Sequence, residues 1–280
     1  MQATCPPRSA ELAALNAAVE KDRERFFYLW PLANHEPFGA QGPCFANMNI
    51  LLTSPDAGFD EIITHPNIYP LAKRLMGADS IRFEEFSVTI REPILEDQPD
   101  GSRIKQQAWH RDDSHWIDHP LLLRSLSVVV YLTDVDASGH SFSIVPESLA
   151  TKRNLPGVAE GGGEGGAGGA IEERLLEDDP AYSLPNADAP PGGEGSAVDV
   201  VGAAGTAIFF HTGNLHAGTV RQTDRLRHSI HLYYGHEALP PLSDRLTAVP
   251  KRLSEHGDPE IRQLFSKKNE ITRLFESNFN

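Results

Sequence analysis

The sequence predicts an all-β core, a barrel or jelly roll, with α-helices packed outside it. Three observations carry that expectation. Runs rich in β-branched and aromatic residues recur at 81–90 (IRFEEFSVTI), 121–133 (LLLRSLSVVVYLT), 206–211 (TAIFFH) and 226–234 (LRHSIHLYY). Gly, Pro, Asn and Asp punctuate the chain between them, as the turns of such a fold require. Helical patterning is concentrated toward the two ends of the chain.

In chain order, residues 9–27 form a helix in which Leu12, Leu15, Val19 and Phe26 recur near helical spacing, and Pro31 stops the run. Residues 38–43 read as a loop. Residues 59–76 read as a helical region interrupted at Pro66 and Pro70 and closed by Gly77. Strands are then expected at 81–90, 105–112, 121–133, 142–145 (stopped by Pro146), 197–201, 206–211 and 226–234. Residues 258–275 return to a helical pattern, with Ile261, Leu264, Phe265, Ile271, Leu274 and Phe275 as its apolar positions. One segment stands apart. Residues 157–169 read GVAEGGGEGGAGG, residues 185–195 are again Pro/Gly-rich, and only 171–176 between them could form a short helix. Residues 157–195 are therefore expected to be a mobile insertion between two strands, with a lid and a passive linker both open. The organisation is one domain over 1–280: an N-terminal helical extension (1–58), a jelly-roll core (81–235) carrying the insertion, and a C-terminal helical tail (236–280).

Bulk properties narrow the function. The 280 residues are 40% hydrophobic and 23% charged, which suits a globular chain with a substantial core. A formal net charge of -14 argues against a nucleic-acid partner, which needs a basic face, and against an anionic membrane surface. Cys5 and Cys44 stand in no CxxC or Cys/His cluster and read as reduced thiols. The N-terminus has no apolar run of signal-peptide length and nothing that could span a membrane, so a cytoplasmic location is expected.

The chemistry concentrates in QQAWHRDDSHW. His110 and Asp112 are two apart, and on a strand that spacing turns both side chains to one face. An imidazole and a carboxylate so placed can take adjacent positions on a divalent metal, although HxD alone is a weak signal. A further ligand must come from GTAIFFHTGNLHAGTVRQTDRLRHSIHLYYG, which offers His211 and His216. Two histidines and one carboxylate on one face of a metal is the arrangement of non-haem Fe(II) oxygenases, and it leaves three coordination positions open. A 2-oxo acid can fill two of them and O2 the last. If that acid is 2-oxoglutarate, its far carboxylate needs a cation, for which the planar fork of arginine is suited. Arg227 lies on the strand after His216, Ser229 shares its face and can add a hydroxyl, and Arg225 is on the same face nearer the turn.

Taken together, HPNIYPLAKRLMG, QQAWHRD, VVVYLTDVDASGHSFSIVPESL and GTAIFFHTGNLHAG resemble the phytanoyl-CoA dioxygenase-like family of Fe(II)/2-oxoglutarate-dependent oxygenases, over roughly residues 59–235. The family carries HxD, a distal His and an Arg eleven residues after that His; here Arg227 stands eleven residues after His216. The resemblance therefore selects His216 over His211, and implies His110, Asp112 and His216 as the catalytic metal ligands. It implies a double-stranded β-helix (a cupin-like jelly roll) with flanking α-helices. It also implies Fe(II) and O2, with 2-oxoglutarate as a co-substrate that yields succinate and CO2 while a small organic molecule is hydroxylated. Two departures lie on the substrate side. The Gly-Ser-His expected after the VVP-like segment is Glu147-Ser148-Leu149, and the early-strand lysine is absent, with Arg91 or Thr89 in a position to replace it.

Other residues near these motifs have lesser claims. Tyr131 and Gln106 are candidate co-substrate contacts, with core packing the alternative for Tyr131. His115, Arg91 and His231 are candidate substrate contacts, whereas Trp109 and His228 alternate to the opposite faces of their strands. The tripeptide HRD also occurs in the kinase catalytic loop, but residue 117 is Ile where a kinase needs Asn, and no DFG follows. No GxSxG supports a serine hydrolase. A zinc-dependent hydrolase or isomerase and a non-catalytic metal-binding barrel remain as alternatives, and Arg227 with Ser229 weighs against both. The expected partner is a free small-molecule substrate.

Overall fold

The computed structural model describes residues 2–4, 9–30, 44–93, 125–138, 141–146, 197–214, 216–219, 224–237 and 247–266. Nine strands are formed among them: β1 (Gln2–Thr4), β2 (Cys44–Asn47), β3 (Ile81–Arg91), β4 (Ser125–Tyr131), β5 (Ser141–Ile144), β6 (Val198–Val200), β7 (Thr206–His211), β8 (His216–Thr219) and β9 (Arg227–His236). The helices are α1 (Ser9–Arg25), α2 (Ile50–Thr53), α3 (Phe59–Ile63), α4 (Tyr69–Met76), α5 (Lys251–Ser254) and α6 (Pro259–Leu264), with a 3-10 turn at Phe27–Leu29. No helix among the described residues is long and apolar enough to cross a membrane.

The strands make two antiparallel sheets. The larger runs β1-β7-β4-β9-β3-β2 and the smaller β6-β5-β8. Alternation sorts the large sheet's side chains to two faces. Phe86, Val88, Ile90, Val128, Val130, Phe209, Ile230, Leu232 and Tyr234 form one core with residues of all six helices. Val129, Tyr131, Ile208 and Phe210 form a second with Phe142 of the small sheet, with Ile144 and Val200 packed against it. The large sheet is thus covered on both sides, which is why SLSVVVY of β4 is buried at every position instead of alternating with solvent.

The helices are tied to the sheet by specific bonds. Asp22 of α1, buried, accepts from Trp30 Nε1 (2.9 Å), Asn47 Nδ2 (2.8 Å) and Ser54 Oγ (2.7 Å), fastening α1 to β2 and α2. Asn16 donates to the Leu132 carbonyl (2.8 Å), and its Oδ1 meets His228 Nδ1 at 2.7 Å. His228 therefore faces α1, away from Arg227. The Tyr234 hydroxyl donates to the Ile63 carbonyl, and burial pushes its pKa well above the usual phenol range.

Several expectations change. Pro70 does not interrupt a helix; it lies in the first turn of α4, where its missing N–H has no intrahelical partner to lose. Gly77 closes α4 in the left-handed region (φ 63°) as its position implies. The segment 1–58 is not only helical, because β1 pairs with β7 and β2 with β3, the outermost strands of the large sheet among the described residues. These strands and β8 went unseen because QAT, CFAN and HAGT are short and lack the alternation that marks a half-buried strand. Pairing partners hold them there. The loop at 38–43, the strand at 105–112, the insertion at 157–195 and residues 267–275 of the last helix lie outside the described residues. So do Cys5 and the Cys44 side chain.

The sheets are also joined by one hydroxyl. Tyr131 of β4 donates to the Val200 carbonyl (2.6 Å) and accepts from the Phe142 N–H (3.3 Å), bridging β6 and β5. Burial raises its pKa and Arg227 pulls it back down. Tyr131→Phe would leave both backbone groups buried without this partner, at a cost of about 1–3 kcal/mol. The expected result in a urea titration is a lower midpoint with an unchanged slope.

Candidate active site

The site is built on the face of the large sheet that looks toward the small one. Register places Arg91 opposite Arg227, Thr89 opposite Ser229, and Ser87 opposite His231 across β3 and β9; Tyr131 of β4 sits on the other side of Ser229. Arg91 and Arg227 are only 6% and 5% exposed. Two buried guanidiniums thus stand side by side at this end of the face. One step along, Thr89 Oγ1 and Ser229 Oγ are 2.7 Å apart, and His231 Nε2 lies 3.4 Å from each. The Tyr131 ring supports the Arg227 guanidinium at 5.9 Å from its centroid.

Arg225 is separated from this group. It is half exposed and forms an ion pair with Asp136, two residues before β9 begins. Sequence spacing could not divide the two arginines, because it does not tell where the strand starts. Burial does.

On the small sheet, His216 opens β8 and is 5% exposed, packed between the rings of Phe210 (4.9 Å) and Phe142 (5.4 Å). Its Nδ1 lies 2.9 Å from the Asn214 carbonyl. A carbonyl only accepts, so Nδ1 carries the proton and Nε2 presents its lone pair. That is the tautomer a metal-ligating histidine needs, fixed by the bond at its other nitrogen. His211 is used differently. It ends β7, and its Nδ1 accepts the Gly213 N–H (2.8 Å), closing the turn toward β8. It is paired with Leu126, so it alternates to the helix-covered face.

Of the residues the sequence singles out, Arg227, Ser229, Tyr131, Arg91 and His231 share the inner face of the large sheet, and His216 stands on the small sheet against Phe142 and Phe210. Gln106, His110, Asp112 and His115 lie outside the described residues. Among the described residues no three metal-binding side chains converge. Not foreseen were the two aromatic rings holding His216 and the Thr89–Ser229 hydroxyl pair. The HTGN turn, which supplies the Asn214 carbonyl, was the available signal for the first.

The profile of the phytanoyl-CoA dioxygenase family (PhyH) matches residues 10–229. The chain belongs to that family. The match takes in α1, which the motif resemblance had left outside, in keeping with the bonds that fasten α1 to the sheet. No curated protein matches the sequence. Several solved structures share the fold of this family member. SnoK, a non-heme alpha-ketoglutarate-dependent carbocyclase from nogalamycin biosynthesis, is 19% identical with a TM-score of 0.59, over 84% of this chain and 78% of that one. HygX from Streptomyces hygroscopicus, solved with nickel and 2-oxoglutarate bound, is 15% identical with a TM-score of 0.54, over 85% of this chain and 82% of that one. AviO1 from Streptomyces viridochromogenes Tue57 is 15% identical with a TM-score of 0.54, over 86% and 90% of the two chains.

Proposed function

We propose that this family member is an Fe(II)/2-oxoglutarate-dependent dioxygenase that hydroxylates a free small organic molecule, as one cytoplasmic domain whose two sheets are the halves of a double-stranded β-helix. The observation that carries this is Arg227: a guanidinium buried on the inner sheet face, flanked by hydroxyls, eleven residues after a histidine held in the ligating tautomer. A hydrolytic zinc site has no use for such a carboxylate receptor.

The residues present fit the cofactors. His216 Nε2 would ligate iron together with His110 and Asp112. Arg227 and Ser229 would take the far carboxylate of 2-oxoglutarate. Bound iron, 2-oxoglutarate and O2 would supply the oxidising power, with succinate and CO2 as by-products. The chain's own part is positional. Arg227 would fix the co-substrate's direction through its planar fork. Tyr131 holds the guanidinium from one side. Phe142 and Phe210 keep water from the His216 ring and fix its plane.

The test is an anaerobic titration of the metal-free protein with Fe(II) and then 2-oxoglutarate, followed in the visible spectrum. A weak charge-transfer band that requires both additions and is lost in His110→Ala is expected. No band, with zinc retained tightly, would overturn the assignment.

A further inference from the structure

The turn between β7 and β8 links the two sheets and is fastened to both. Thr212 Oγ1, in a wholly buried residue, donates to the Ser125 carbonyl of β4 (3.3 Å), and Asn214 Nδ2 reaches the Pro146 carbonyl just past β5 (3.0 Å). A carbonyl only accepts, so the amide atom facing Pro146 is the donor. Asn214 is buried and uses its backbone as well. Its N–H donates to the His211 carbonyl (2.8 Å), which closes the turn, and its own carbonyl accepts from His216 Nδ1 (2.9 Å). The pairing of β5 with β8 ends at Ile144 opposite His216. Carried further in the same register, it would set Pro146 opposite Asn214. Proline has no N–H, so the facing strand offers no backbone donor there to compete for the Asn214 carbonyl. With its own N–H spent in the turn, Asn214 reaches across by its side chain instead.

We propose that Asn214 is a positioning residue for the candidate metal ligand His216, acting through its side-chain clasp on Pro146. The role rests on the oxygenase reading for its purpose. The clasp fixes where the Asn214 carbonyl stands. The carbonyl holds the proton on Nδ1, and Nε2 is left with the lone pair that a metal takes. The rings of Phe142 and Phe210 restrain the plane of the imidazole but carry no acceptor, so they cannot choose between its two nitrogens. A neutral imidazole without a fixed acceptor divides between tautomers, and the share with its proton on Nε2 cannot ligate through that nitrogen.

The experiment compares the wild type with Asn214→Ala and Asn214→Asp. Each metal-free, isotopically labelled protein is read by proton–nitrogen correlation of its imidazoles at about pH 8, where free histidine is neutral. His216→Ala assigns the signal. Aspartate keeps the size of asparagine but, ionised, cannot donate to the Pro146 carbonyl. Wild-type His216 is expected to carry its proton on Nδ1. Both variants are expected to show a mixture of the two tautomers. Their Co(II) affinity, read from the visible absorption of the bound metal, should fall about tenfold or more. An asparagine that only stabilises the fold would lower the melting temperature and leave tautomer and Co(II) affinity as they were. A wild-type His216 protonated on Nε2 overturns the role whether or not the variants fold. An unchanged tautomer or an unchanged Co(II) affinity in a folded variant overturns it too. If the wild type forms no visible band with Fe(II) and 2-oxoglutarate, the oxygenase reading fails, while the tautomers still decide what Asn214 does.

Discussion

Arg227→Ala is expected to raise the 2-oxoglutarate concentration for half-maximal turnover by about tenfold to a hundredfold, the equivalent of losing a charge-assisted contact of roughly 1.5–3 kcal/mol. Iron binding should change little. Arg227→Lys should recover only part of the loss, since an ammonium cannot reproduce the fork. Arg225→Ala is the control: its ion pair with Asp136 is at the surface, and it should leave co-substrate dependence as it was. Arg91 is the residue to combine with Arg227, because the two guanidiniums are register partners. Should Arg227→Ala leave the requirement unchanged and Arg91→Ala raise it, the anchor belongs to β3.

Glu84→Ala is expected to be the most destabilising single change outside the apolar cores. The Arg82–Glu84 pair is almost wholly buried, with side chains 3% and 1% exposed. Removing one member of a buried ion pair costs about 3–5 kcal/mol, a large part of the roughly 5–15 kcal/mol that holds a domain folded. Calorimetry should show a fall of about 10 °C in the melting temperature. The joint change Arg82→Met with Glu84→Leu should recover most of it, because two apolar side chains of similar volume avoid the cost of burying charge. Gly235 belongs to the same arrangement. A β-carbon there would collide with the Glu84 carboxylate and Arg82, so Gly235→Ala should resemble the single variant.

The central strands were legible because β3, β4, β7 and β9 carry enough Val, Ile, Phe and Tyr to announce themselves whatever surrounds them. The edge strands were not, since β1 and β2 owe their conformation to neighbours far away in sequence. Among the candidate residues, spacing placed Arg227 and Ser229 on one face of β9, and the register agrees. What spacing lacks is burial and tautomer. It left Arg225 and Arg227 on one face, where only the start of β9 separates them, and it chose His216 over His211 by resemblance, where the two carbonyl and amide contacts give each ring a distinct task. Arg82 was not expected on this face because a bulge at Glu84 shifts the alternation, and an uninterrupted period of two from Arg91 would have turned Phe83 inward and Arg82 to the helices.

The pairing of β1 with β7 bears on how the molecule is made. Residues 2–4 are synthesised long before the strand they join, 206–208. Helix α1 likewise waits for His228. Strand β1 must therefore stay undocked until β7 has emerged, and contacts between such distant segments slow folding. An Ala3→Pro substitution would remove a backbone donor from β1 where it pairs with Ala207, and so would weaken that docking. Comparing refolding rates with and without it would reveal whether docking of this strand is the final step.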